Sequence, residues 1–375
     1  MTTLAPPLPA PPCFGIRWTP RDGLGLALGL LALCLLASGC AATPWRGFPE
    51  RGTPEMVWPL PPQPARVAYV MQIRDHADLF EESGLLRALG GWITGGPDSR
   101  LVRPSAVAIH PSGGLVVTDT GRQTAFFYDW SRRRCRNLGA RRPGGLPSPV
   151  GAAALRDGRI LVSDSELGSV EAFSREGRHL GSFAEAGLLV RPAGIAVDDE
   201  RNEVHIADVA GHAVFVFDSQ GRLLRRSGRH GAGLGEFNFP THVAMGPGGQ
   251  LAVTDSLNFR VQLLSPGGEA VRAIGSHGDA PGQFSRPKGI AADSRGWFMV
   301  VEGLYDVVQF FDWDGAFLLA IGAPGSQPGE FWLPSGLAFY EQEHLLFLAD
   351  SYNGRVQVFR VLGPPSESAE PAGTQ

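Results

Sequence analysis

Six prolines, Pro104, Pro149, Pro192, Pro240, Pro287 and Pro334, stand 45, 43, 48, 47 and 47 residues apart, and each opens the same short phrase. A small or polar pair follows the proline, then an apolar triplet, a glycine-containing turn, a short apolar strand and an acid. The acids are Asp119, Asp164, Asp208, Asp255, Glu302 and Asp350. A period in this range marks an array of small sheets, none of which can bury its own faces until neighbours cover them. The 375 residues could otherwise make two ordinary domains, but six such units argue for one closed body. Most of the 50 Gly and 31 Pro fall at fixed offsets between strands, so they read as turns and not as low complexity.

Within a repeat the third strand is clearest, as in Arg260-Val261-Gln262-Leu263-Leu264 or Arg355-Val356-Gln357-Val358-Phe359. A tight turn such as Ser219-Gln220-Gly221 follows, then a fourth strand such as Leu223 to Ser227. Four short antiparallel strands per repeat make a propeller blade. The sixth repeat lacks its fourth strand, and Val67-Ala68-Tyr69-Val70-Met71 is a strand with no repeat of its own. The expected fold is therefore all-β, a six-bladed β-propeller over residues 66–362 whose last blade is closed by the N-terminal strand. Such a closure leaves no exposed edge between first and last blades.

The segments Phe237 to Ala244, Phe284 to Ala291 and Phe331 to Ala338 resemble the opening strands of NHL repeats. The run Ala349-Asp350-Ser351-Tyr352-Asn353-Gly354-Arg355-Val356-Gln357-Val358-Phe359 resembles their closing half. The blades at Pro240, Pro287 and Pro334 match best, the first with His242 where the pattern has glycine, and those at Pro104 and Pro149 are degenerate. The resemblance implies an NHL and TolB-like propeller. Propeller enzymes similar to this family include amidating lyases with histidines at a central zinc and lactonases with Asn, Asp and Glu at a central calcium.

The N-terminus carries Arg17 and Arg21, an uncharged apolar run from Gly23 to Leu36, and then Ala37-Ser38-Gly39-Cys40. Basic, apolar and small residues in that order predict a secretory signal over 1–39. Leu36 to Cys40 resembles the lipobox of bacterial lipoproteins, which implies lipid on Cys40 and a body held at the cell envelope. Ala41 in place of Asp after the cysteine points to the outer membrane. Residues 40–65 are rich in Pro and Trp and read as a semi-rigid tether, and 363–375 as a disordered tail. Once the signal is removed and Cys40 acylated, Cys135 is left alone, so no internal disulfide is expected.

The net charge is −4, and −5 once a segment carrying Arg17, Arg21 and Asp22 is gone, which is a poor match for nucleic acid. An acid demanded in all six blades is better explained by the blade than by one asymmetric active site, and a turn-closing carboxylate fits it. The positions just after each proline enter the central channel, and there His242 and Lys288 alone stand out for polar chemistry. Three convergent ligands are wanting, so neither metal nor cofactor is expected. The loops between second and third strands differ from blade to blade. Arg122, His212, Phe259, Tyr305 and Tyr352 are the candidate partner-binding residues on them, because variable loops on a rigid scaffold carry binding. The expected function is a non-catalytic, monomeric envelope lipoprotein binding a protein, peptide or polysaccharide partner. The alternative is a metal-dependent lyase or lactonase-like hydrolase with a pocket near His242.

Overall fold

The computed structural model describes residues 47–48, 56–80 and 99–363, and the six repeats in them form six separate antiparallel sheets. Blade 1 consists of Pro104–Ile109, Gly114–Asp119, Thr124–Asp129 and Arg134–Asn137. Blades 2 to 5 repeat this meander from Pro149, Pro192, Pro240 and Pro287. Blade 6 has three strands of its own, Pro334–Tyr340, Leu345–Asp350 and Arg355–Val361, and Val67–Ile73 pairs antiparallel with the third. First strands of successive blades touch one another all the way round, blade 6 meeting blade 1. The chain is a six-bladed β-propeller closed by its N-terminal strand.

The second and third strands are buried on both faces because each blade is sandwiched between two others. Gly114–Asp119 and Thr124–Asp129 therefore read as continuous buried runs without alternation. Fourth strands line the rim and are partly exposed, as Arg134–Asn137 and Leu223–Ser227 show.

Each proline lies opposite the acid of its own repeat, from Pro104 against Asp119 to Pro334 against Asp350. The register slips just after the proline, leaving a bulge in every innermost strand. In blades 1 and 4 a threonine hydroxyl from the second strand fills the gap: Thr118 Oγ1 accepts the Ala106 N–H at 2.8 Å and Thr254 Oγ1 the His242 N–H at 2.9 Å.

The recurring acid does the same job in all six blades. Asp119 accepts the N–H groups of Val102 and Arg103 at 2.7 and 2.9 Å, Asp208 those of Val190 and Arg191, and Glu302 those of Ser285 and Arg286. Asp164, Asp255 and Asp350 take one such N–H each, from Ser148, Asn238 and Trp332. A buried carboxylate thus ties the end of the second strand to the connection arriving from the previous blade, which has no strand partner there.

In blades 4 and 6 the motif after the acid completes this clamp. Asp350 Oδ2 accepts from Asn353, Arg355 and Gln357, and Asp255 Oδ2 accepts from Asn258, Arg260 and Gln262. The glutamine then grips the glycine-rich loop from both sides: Gln357 Oε1 accepts the Gly329 N–H and Nε2 donates to the Glu330 carbonyl. Phe237, Phe284 and Phe331 lie fully buried between blades, each ring over a glycine with φ near +90°. A Cβ on Gly228, Gly275 or Gly322 would come within 2.4 Å of that ring.

Part of the segment read as a tether packs on the propeller. Val57–Trp58 adds a fifth strand outside Val67–Ile73, and Trp58 meets the Phe359 ring edge-on at 5.8 Å. Phe48 is buried, edge-on to Trp130 and Phe347 at 5.2 and 5.4 Å. A two-residue strand and a single aromatic plug leave no periodicity to read, so composition suggested only a spacer. The signal over 1–39, Cys40 and the tail beyond Gly363 lie outside the described residues. No helix among the described residues is long and apolar enough to cross a membrane.

Candidate functional site: the loop face and the channel mouth

Because every proline faces its acid, the loops between blades and those joining second to third strands leave from one face. The short turns joining first to second and third to fourth strands leave from the other. The two faces differ in chemistry. The turn face carries ion pairs such as Arg132–Glu176, Arg201–Asp198 and Arg222–Asp218. The loop face carries exposed apolar side chains: Val102, Val190, Leu257, Leu304, Trp332 and Tyr352, the indole of Trp332 being 53% exposed.

The channel mouth opens in the middle of this face. His242 occupies the second position after its proline, where blades 2, 3, 5 and 6 have Gly151, Gly194, Gly289 and Gly336. Those glycines face the backbone of the next blade, and a Cβ on Gly151 or Gly289 would come within 2.0 Å of a neighbouring carbonyl. This corrects the expectation that both positions after the proline enter the channel: the second packs between blades, and only His242 puts a large side chain there. Neither ring nitrogen reaches solvent or has a hydrogen-bond partner among the described residues. Burial, and then the charge of Lys288, pushes the imidazole pKa down to about 4, so the ring is neutral at pH 7.

Lys288 follows the proline of blade 5, and its stem lies on Gly303, where a Cβ would be 3.1 Å from Cδ. Burial, followed by the charge of Arg286, lowers its pKa to about 8. Asp306 nearby accepts the Leu333 N–H at 2.8 Å, and its own pKa is raised by burial. The structure therefore sets a neutral imidazole beside an ammonium that stays mostly charged at pH 7. The lysine can hold an anion or a polar group and, while charged, opposes a divalent cation. Among the described residues no three His, Cys, Asp or Glu side chains converge as a metal site.

Of the loop candidates, Tyr305 and Tyr352 are exposed. Tyr352 packs against Trp332 at 5.6 Å, with the Arg103 guanidinium 5.1 Å above its ring. The Tyr305 hydroxyl lies 3.4 Å from Ser285 Oγ. His212 and Phe259 are half-buried and fold against the neighbouring connection, His212 on His230 at 4.5 Å and Phe259 on His277 at 4.4 Å. Arg122 donates to the Arg100 carbonyl and lines a cleft of ≈ 290 Å³ at the seam of blades 1 and 2, with Gln123, Asn137 and Leu146. Cys135 lies in a rim strand, half-buried against the core, and burial pushes its thiol up to about 12.

Sequence reasoning missed the residues immediately before the prolines. Arg103, Arg191 and Arg286 stand there in blades 1, 3 and 5, all exposed, while Ser148, Phe239 and Leu333 take the place in the blades between. The signal was present as an alternation along the repeats, one position upstream of each proline.

No protein-family model matches the chain. Solved structures share the fold at low identity. Virginiamycin B lyase from Staphylococcus aureus, a catalytically inactive histidine-to-alanine variant with quinupristin, is 12% identical with a TM-score of 0.52, over 71% of this chain and 97% of that one. A gluconolactonase from Xanthomonas campestris is 16% identical, with a TM-score of 0.54 over 70% and 86% of the two chains. Hydrazine synthase from Kuenenia stuttgartiensis is 14% identical with a TM-score of 0.50, over 71% and 97%. Three unrelated activities on one architecture carry the fold and leave function to the site.

Proposed function

We propose that this chain is a binding module, a lipid-anchored NHL-type propeller of the cell envelope whose loop face takes a macromolecular partner. The observation that supports it is the set of exposed apolar side chains on the loop face, where Arg229–Glu236 is an exposed ion pair beside them, against short ion-paired turns on the other face. Clusters of exposed apolar residues on a soluble body mark interaction sites. The recurring acids are all occupied by backbone N–H groups, so they serve the blades.

Capture from envelope fractions tests this, using the intact protein, the Leu304→Glu/Trp332→Glu/Tyr352→Glu variant and an Arg222→Glu control on the turn face. The loop-face variant should retain at least tenfold less of any captured species while the control matches wild type, since a buried charge at an interface centre costs several kcal/mol. Equal capture by all three would defeat the reading. In the same cells Cys40→Ser protein should leave the membrane fraction, because a protein without its acyl chains loses the anchor; retention on membranes after export and cleavage would remove the lipoprotein part.

A second reading, a lyase or hydrolase pocket at the channel, draws on His242, whose two buried ring nitrogens have no hydrogen-bond partner among the described residues, and requires the inter-blade packing to open and expose them. It predicts turnover that His242→Ala abolishes, whereas partner capture by the loop face should survive that substitution.

A further inference from the structure

Resting on the loop-face reading, we propose that this face recognises an acidic polypeptide segment bearing apolar side chains, its carboxylates drawn to a ring of cations at the channel mouth. Arg103, Arg191 and Arg286 occupy the same position in every second blade, so they surround the mouth at three roughly equivalent places. Their backbone N–H groups are held by Asp119, Asp208 and Glu302 at 2.9, 3.0 and 2.8 Å, which fixes where the three side chains start. Their guanidinium groups make no ion pair with a carboxylate among the described residues. Lys288 adds a fourth cation one step inside.

Among the described residues the carboxylates closest in sequence form no ion pair with the three arginines, while Asp306 and Glu302 act on Lys288. The six acids are buried and turned toward the backbone amides they accept, and Asp306 stands near Lys288, so the three guanidinium groups are the charges that reach solvent beside the prolines. An exposed guanidinium without a carboxylate partner of its own can take one from a ligand in a two-pronged hydrogen-bonded pair. The flanking side chains decide the rest of the ligand's character. Val102 and Val190 each precede one of these arginines, and Arg103 lies over the exposed Tyr352 ring beside Trp332. A carboxylate on arginine with an apolar neighbour on valine or tryptophan is the pairing that an amphipathic acidic peptide offers. A neutral sugar gives the cations nothing. A nucleic acid strand calls for stacking side chains along a continuous basic track, and here the arginines stand singly in alternate blades, with Ser148, Phe239 and Leu333 between them.

Fluorescence anisotropy tests this with three labelled probes: a 12-residue peptide of Glu, Leu and Trp in a Gly/Ser frame, its Glu-to-Gln counterpart, and a 12-nucleotide oligouridylate. The acidic peptide should bind at least tenfold more tightly than either other probe and weaken as NaCl rises from 50 to 300 mM. The Arg103→Ala/Arg191→Ala/Arg286→Ala variant, which keeps the backbone N–H clamps, should lose about tenfold in affinity for it and most of the salt dependence. Equal binding of the Gln peptide, preference for the RNA, an unaffected triple variant, or no binding of any probe would each overturn the inference. If partner capture remains sensitive to Leu304→Glu/Trp332→Glu/Tyr352→Glu in those cases, the loop-face reading stands alone; if it does not, both fall.

Discussion

Arg355→Ala should destabilise the propeller by about 3–5 kcal/mol, the cost of leaving one partner of a buried ion pair uncompensated. The Arg355 side chain is 1% exposed and that of Asp350 is 0% exposed, with Nε donating to Oδ2 at 2.7 Å. The same guanidinium donates to Gln72 Oε1 on the closing strand and to the Gln327 and Glu330 carbonyls of the loop between blades 5 and 6. Its loss strands the Asp350 charge, two carbonyls and the polar link across the closure at once. Urea unfolding should show the midpoint falling with little change in slope. Arg260→Ala, at the matching place in blade 4, should cost less, because Arg260 is more exposed and has no closing strand to hold. Similar losses at the two sites would contradict the role given to closure.

Acid should unfold this protein early, and His242 should account for much of it. Burial, then Lys288, holds its folded pKa at about 4, against about 6.5 in the unfolded chain. Between those values the unfolded chain binds a proton that the folded chain refuses, so stability rises with pH there and is lost on acidification. A shift of this size corresponds to about 3 kcal/mol between pH 7 and pH 4. His205, also lowered to about 4 by burial and opposed by Glu203, acts in the same direction. Lys288, held at about 8, adds a separate rise in stability at alkaline pH, above 8 and toward 10.5. Thermal melts from pH 7 to 4.5 should show a drop in Tm that is roughly halved in His242→Phe. A variant with the full wild-type acid slope would show that His242 is not the titrating group.

The repeat was legible because most of what it encodes is settled inside one blade. Asp119 meets Val102 and Arg103 only 16 or 17 residues away, and Asp350 meets Asn353, Arg355 and Gln357 within seven. Partners this close along the chain leave a fixed spacing, and six copies of that spacing made the structural reading of the acids sound. The closing strand was legible for a related reason, since a sixth blade short of a strand and a spare strand elsewhere have one economical solution. Phe48 and Val57–Trp58 were not, because their contacts with Trp130, Phe347 and Phe359 are set by the shape of the seam they fill.

The site divides along the same line. The variable loops could be located from the sequence, and Tyr305 and Tyr352 do stand exposed, but His212 and Phe259 fold back onto His230 and His277. Register within a blade is a matter of local spacing, and the sequence determined it: blade count, strand order, the acid clamps and the face from which the loops emerge. Contacts between blades join residues a whole repeat apart, and only ring closure brings them together. Tertiary structure alone set His242 beside Lys288 and packed Gly151 against the Ala193 carbonyl.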